Sequence, residues 1–281
     1  MLVVIYGKGL WPTWSEALRA DSPFWEGLSS IEKVIEVDTL DFPLKEICKN
    51  YNKSVLIPLS VENNLTHPKG CLTLVSSKET LNTFNNKGLF YNFLKENGLE
   101  EYFPKTIEIT SSTPEFPFIM KRLDLYGGVG IALIWDQKRY EWALNNRRFK
   151  GQNYVIQEYV EGDVEYVTQV MCKNGSVLWH VTFEGPVPKD GKVNMGPFAE
   201  NKIVTIEQKV LEVFFKIFKL ANYSGPANVN FKLRDGKPVI FESNPRFGGS
   251  MFLPMFRPQL KQSIMTLLNN AYLQTEGQNV N

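Results

Sequence analysis

The sequence predicts an α/β protein assembled from more than one lobe, on three observations. Residues 1–75 alternate short apolar strands with helical stretches, the pattern of a small open parallel sheet. The later chain carries antiparallel hairpin signals at Lys173-Asn174-Gly175 and Asp235-Gly236, whose residues tolerate the positive φ of a tight turn. Stretches with apolar spacing near 3.6 residues, at 77–98, 206–221 and 258–274, read as helices. Together these give α+β lobes behind a short α/β front. The chain has 281 residues, 43% of them hydrophobic, enough to bury a sizeable core.

Composition narrows the function. A formal net charge of +1 gives no electrostatic case for nucleic acid or an anionic membrane as partner. The apolar runs stop well short of a membrane span. Residues 1–6, MLVVIY, lack a basic start and read as a first strand, not a signal peptide. Cys48, Cys71 and Cys172 are scattered and odd in number, neither a zinc pattern nor a disulfide framework, so a cytoplasmic location is expected. Two histidines, His67 and His180, exclude a histidine-rich metal centre.

In chain order, the first strand ends at Gly7-Lys8-Gly9. That glycine turn is weak as a phosphate motif, because no G-x-G-x-x-G follows. Trp11, Trp14 and Trp25 cluster behind it, as core aromatics or as a stacking surface. Residues 31–37, 55–59 and 72–75 read as further strands, with a helix around 41–52. The helical stretch at 77–98 starts at a serine cap, ends at Gly98, and breaks near Asn85-Asn86-Lys87. Lys87 therefore sits at a helix start, where its charge and the helix dipole both attract an anion.

A strand at 106–109 and another at 118–122 follow, the latter ending in Lys121. Gly127, Gly128 and Gly130 come directly after it. Their backbone N–H groups can approach phosphate oxygens, although an ordinary glycine hairpin fits as well. A strand at 131–135 closes that hairpin, and a charged helix is expected at 137–147. The run QEYVEGDVEYV places Glu158 and Glu165 seven apart around Gly162; alone, it also fits an exposed acidic loop. A hairpin at 166–182 leads to a Pro/Gly-rich excursion at 184–200, of the kind that lines sites, with Lys189 and Lys192 as candidate substrate contacts.

The stretch 225–250 carries the densest chemistry. Val229, Phe231 and Leu233 alternate with Asn228, Asn230 and Lys232, the period of a half-buried strand. After the Asp235-Gly236 turn, an apolar strand ends in Glu242, Asn244 and Arg246. Glu242 and Asn244 share a face, and Asn230 can lie beside them. A carboxylate with amide oxygens suits a hard divalent ion, and arginine suits phosphate. Alone, the stretch also reads as a surface hairpin with a polar rim.

The order of these parts resembles the ATP-grasp superfamily of carboxylate-activating ligases. Lysine at a helix start, lysine ending a strand, a glycine hairpin, Q-E-Y-V with a second glutamate seven on, and a hairpin ending E-S-N-P-R together carry the likeness. Within that superfamily, the C-terminal half is most similar to the synthetase domains of the carbamoyl-phosphate synthetase large subunit. The resemblance covers about residues 76–270 and implies an ATP-grasp fold in three parts. These are a short parallel α/β lobe at 1–75, a small lobe with a glycine lid at 76–155, and a large lobe with the metal site at 156–281.

The resemblance implies ATP and magnesium, with manganese as an alternative ion. It implies that Lys87 and Lys121 hold the phosphates and that Gly127, Gly128 and Gly130 form the lid. Glu158, Tyr159 and Val160 would form the adenine hinge, and Glu165 would bond the ribose. Glu242 and Asn244 would ligate magnesium, with Asn230 beside them, and Arg246 would steady the transferring phosphoryl group. Many relatives carry an acid where this chain has Asn230, and the neutral amide should weaken a second ion. The expected reaction joins a small-molecule carboxylate to an amine through an acyl-phosphate. Carbamoyl-phosphate-like chemistry, needing a partner or free ammonia, and a non-catalytic nucleotide-binding regulator are the alternatives. A homodimer is the expected assembly if the chain self-associates.

Overall fold

The computed structural model describes residues 1–7, 16–38, 43–66, 71–108, 114–123, 130–187 and 200–272. Three sheets organise them. The first is parallel and three-stranded: β1 (Leu2–Tyr6) lies between β2 (Lys33–Val37) and β3 (Ser54–Pro58). Every residue of β1 and β3 is buried, as a strand covered on both faces requires. Helix α1 (Leu44–Cys48) and helix α2 (Val61–Leu65) complete this lobe. The expected strand at 72–75 contributes only single bridges, Leu72 to Val55 and Thr73 to Tyr272. Leu72 thus extends the edge of β3 by one residue only, and Thr73 ties this lobe to Tyr272, just past the last helix.

The expected helix break is present. Helix α3 (Lys78–Asn85) ends at Asn86, whose side chain then caps helix α4 (Lys87–Glu96) by accepting from the Gly88 and Leu89 amides. One asparagine thus stops one helix and starts the next, because its short amide competes for backbone groups. Lys87 is the first residue of α4. Gly98 takes φ +66° just past the helix end, the left-handed turn that glycine adopts at least cost.

The small sheet orders β4 (Phe118–Arg122) between β5 (Ile131–Ile134) and β6 (Tyr154–Glu158), with helix α5 (Gln137–Asn145) on its outer face. The expected strand at 106–109 is reduced, within the described residues, to one bridge from Thr106 to Gln157. The boundary expected between residues 155 and 156 falls inside β6, which runs through Glu158. The large antiparallel sheet orders β11 (Lys237–Asn244), β10 (Gly225–Arg234), β7 (Val164–Lys173), β8 (Ser176–Pro186) and β9 (Lys202–Val204). β9 was not anticipated: three residues are too few to show a period.

Helix α6 (Gln208–Leu220) covers one face of the large sheet through Val210, Phe214, Ile217 and Phe218. The α3–α4 pair packs into this same core, so residues 78–96 cover the large sheet and not the small one. Phe84 stacks on Phe218 at 5.7 Å and meets Tyr223 at 5.0 Å. Helix α7 (Arg257–Asn270) covers the opposite face, sharing a core with Val3, Ile5, Val55 and Ile57 of the parallel sheet. Among the described residues no helix is long and apolar enough to cross a membrane.

Phe218→Ala should cost about 3–5 kcal/mol, since it empties a fully buried aromatic site. Urea unfolding measures this, and a loss below about 1 kcal/mol would contradict the packing described.

Candidate functional site

The site grows from the register of β10 against β11. Asn228 pairs with Asn244 and Asn230 with Glu242, so all four side chains stand on one patch at the strand ends. The Asn230 and Asn244 amides each donate to Glu242 Oε1 at 3.1 Å. Asn244 also donates to Asn228 Oδ1 at 3.1 Å, and the Asn228 amide holds the Arg246 carbonyl at 3.1 Å. The three-residue polar face expected from sequence is therefore a four-residue network. Asn228 belonged to it by its two-residue spacing from Asn230, the signal that could have found it.

Two cations converge on this carboxylate. Lys87 Nζ lies 3.3 Å from Glu242 Oε2, delivered by the start of α4. Lys121 is buried at 7% exposure, its ammonium 5.1 Å from the Phe241 ring centre. Burial lowers the Lys121 pKa to about 8, with Lys87 adding to the effect and Glu242 and Glu165 opposing it. For Glu242, burial pushes upward, yet Lys87, the Asn244 amide and Lys121 outweigh it and hold the carboxyl below its ordinary value. Glu165 has no such advantage. Burial and Glu242 push it up to about 7, against Lys232 and Lys121.

The hinge joins β6 to β7. Glu158 Oε1 accepts from the Lys105 amide at 2.9 Å and from Arg234 at 3.1 Å. Burial raises its pKa, but these two donors prevail and the net shift is downward. Lys232 donates to the Val160 carbonyl at 3.0 Å and lies 5.4 Å from the Tyr159 ring. This staple from the large sheet to the hinge was not expected; Lys232 had read as one more polar position on β10. Gly130, at φ +84°, closes the base of the β4–β5 hairpin, its carbonyl accepting from the Arg122 amide. Gly127, Gly128, Lys189 and Lys192 lie outside the described residues.

Arg246 is positioned by its backbone: its amide donates to the Asn244 carbonyl at 2.9 Å, and its guanidinium donates to the Phe247 carbonyl at 3.0 Å. The parallel lobe reaches the same loop. Asn64, buried in α2, donates to the Pro245 carbonyl at 3.2 Å, and no sequence signal marked it. Gln169 of β7 accepts from the Gly248 amide and donates toward Ser250.

A small cavity of about 40 Å³ borders Lys87, Lys121, Val155, Gln157 and Phe241. Gln157 is 2% exposed, and its side-chain oxygen accepts no hydrogen bond. A buried unpaired amide oxygen costs about 1–3 kcal/mol, so this one marks a place for a donor. A wider groove of about 590 Å³ behind the hinge is lined by Glu100, Glu101, Lys105, Glu158 and Arg234. Within it Arg234 pairs with Glu158 at 3.1 Å, Glu101 pairs with Lys237 at 3.0 Å, and the groove touches none of the Glu242 cluster.

Of the expected residues, Lys87, Lys121, Glu165, Glu242, Asn230 and Asn244 come together, through contacts or through the charge couplings above. Glu158, Tyr159 and Val160 form the adjoining hinge. Among the described residues no three His, Cys, Asp or Glu side chains cluster as a metal cage. One carboxylate with amide oxygens instead fits a magnesium ion that takes its remaining ligands from phosphates and water.

Residues 84–250 match a family model described as an ATP-grasp domain. The arginine-specific large chain of carbamoyl phosphate synthase from Bacillus subtilis is 22% identical over 187 residues, covering 63% of this chain and 18% of that one. The chain thus spans under a fifth of that relative. An uncharacterized protein of Methanocaldococcus jannaschii is 22% identical over 275 residues, covering 88% of this chain and 66% of its own. Among solved structures, a D-alanine–D-alanine ligase from Bacillus anthracis superposes with TM-score 0.65 at 15% identity, covering 96% of both chains. A phosphoribosylamine–glycine ligase from Thermotoga maritima gives TM-score 0.66 at 14% identity, covering 98% of this chain and 77% of that one.

The Glu165 carboxyl binds its proton more tightly in the folded protein than at its ordinary value of 4.5. The folded state therefore holds the extra proton between 4.5 and about 7, and stability falls as pH rises through that window. Glu165→Gln cannot ionise. Its stability relative to the parent should rise by about 2 kcal/mol from pH ~5 to ~8, read by urea unfolding across pH. A pH-independent difference would contradict the assignment.

Proposed function

Because the chain belongs to the ATP-grasp family, we propose that it is an ATP- and magnesium-dependent ligase joining a carboxylate to an amine through an acyl-phosphate. One observation carries the reading: Lys87 and Lys121, from different elements, converge on a partly buried Glu242 that Asn230 and Asn244 hold by hydrogen bonds. Such a cluster has the makings of a polyphosphate site. Its cations are already gathered and desolvated, so anionic oxygens meet preorganised charge.

The residues divide the work as follows. Lys87, at the start of α4, and Lys121, on β4, receive phosphate oxygens. Glu158, Tyr159 and Val160 face the base, and Glu165 faces the ribose. Gly127, Gly128 and Gly130 would cover the phosphates and exclude water, the role the family resemblance implies for them. Glu242 and Asn244, with Asn230, would hold magnesium, which when bound would supply charge neutralisation for the phosphates. With one carboxylate in this set, a second ion is held weakly.

The substrate carboxylate attacks the γ-phosphorus, the bond to the β–γ bridging oxygen breaks, and ADP leaves. Arg246 steadies the transferring group. The amine nitrogen then bonds to the acyl carbon, phosphate leaves with the bonding pair, and the amine proton passes to solvent. Water exclusion protects the acyl-phosphate between the two steps. Phosphoryl transfer needs alignment and charge stabilisation more than a covalent nucleophile, which suits a chain with two histidines. The similarity to carbamoyl phosphate synthase favours carboxyphosphate as a second candidate for the activated acid. Asn230 is the feature that favours a nucleotide-binding regulator.

Incubation with ATP, magnesium and pooled carboxylates and amines should release ADP in a substrate-dependent manner. ATP binding without ADP from any pool would end the ligase reading. Glu242→Ala should lower turnover at least about a thousandfold while leaving the fold intact by circular dichroism. Retained turnover would remove Glu242 from the metal site.

A further inference from the structure

We infer that Gln157 is the base-selective residue of the nucleotide site, its side-chain oxygen accepting the exocyclic amino group of adenine. The inference deepens the functional reading above and rests on it. Strand register places the side chain. Lys121 pairs with Val155 and Ile119 with Gln157, so these four share one face of the small sheet, while Ile156 is buried in the core on the other. The shared face holds Lys121, whose ammonium is coupled to Glu242 at the phosphate end. Gln157 lies one step further along β6, directly before the hinge.

Gln157 is nine-tenths buried, it borders the cavity of about 40 Å³ with Lys121 and Phe241, and its amide oxygen has no donor. Gln157 and Lys121 stand on one face of the sheet and line one cavity, so a nucleotide whose phosphates meet Lys121 brings an edge of its base toward Gln157. The group that meets the bare oxygen is a hydrogen-bond donor on that edge. Adenine presents an N–H donor there. Guanine and hypoxanthine present a carbonyl oxygen at the same position, which would oppose the Gln157 oxygen and leave both unpaired. Rejection of an analogue lacking the donor is strong where a buried acceptor is left bare.

The test compares ATP with purine riboside triphosphate, in which hydrogen replaces the amino group, and with inosine triphosphate. Affinities are read by calorimetry on the full chain, independently of turnover. The wild type should bind ATP about tenfold or more tightly than either analogue. Gln157→Leu should weaken ATP about tenfold, leave purine riboside triphosphate unchanged, and bring their ratio near unity. Gln157→Glu retains an acceptor and should keep the preference for ATP. A wild-type ratio near unity, or a wild-type ratio preserved in Gln157→Leu, overturns the inference; the former needs no variant to fold. If the wild type binds none of the three nucleotides, the functional reading falls with it, whereas binding without discrimination removes only the role of Gln157.

Discussion

Everything at the centre of this protein depends on keeping Glu242 ionised while it is largely withdrawn from water. A carboxylate withdrawn from water must be met by opposite charge and by donors, or it takes up a proton. Here Lys87, Lys121 and the amides of Asn230 and Asn244 provide both. The dependence is mutual, since Lys121 is itself buried and keeps its charge partly through Glu242. Glu165 shows the other outcome: close to the same cluster but less fully compensated, it is pushed up to about 7.

The fold supplies this compensation from three directions. The large sheet brings Glu242 and the asparagines in register on β10 and β11. The small sheet brings Lys121 on β4, and the Asn86 cap turns the chain so that Lys87 opens α4 against β11. Lys232 and Arg234 then tie β10 to the hinge, through Val160 and Glu158, so the large sheet and the strand leading from the small sheet are fastened beside the cluster. Asn64 extends the parallel lobe to the Pro245 carbonyl, one residue from Arg246.

Much of this was legible because it rests on local rules. Residues 85–87 signalled the helix break through asparagine chemistry, and Asp235-Gly236 signalled the β10–β11 turn through positive φ. Residues 72–75 and 106–109 have the apolar character of strands, but among the described residues they meet the edge strands β3 and β6 only at Leu72 and Thr106, and Thr73 pairs instead with Tyr272. β9 failed in the opposite sense, being too short to carry a pattern yet paired with β8 over three positions.

The sequence by itself determined which groups the site contains. Alternation on β10, the E-S-N-P-R end of β11, and lysines at a helix start and a strand end are properties of neighbouring residues, readable without coordinates. Only the tertiary structure decided what those groups do to one another. That Lys232 staples the hinge and that the Gln157 oxygen is left without a donor depend on distances between segments tens of residues apart. Charge and hydrogen-bond energies act over a few ångströms, so they are set by which strands lie side by side, and side-chain type alone does not carry that information.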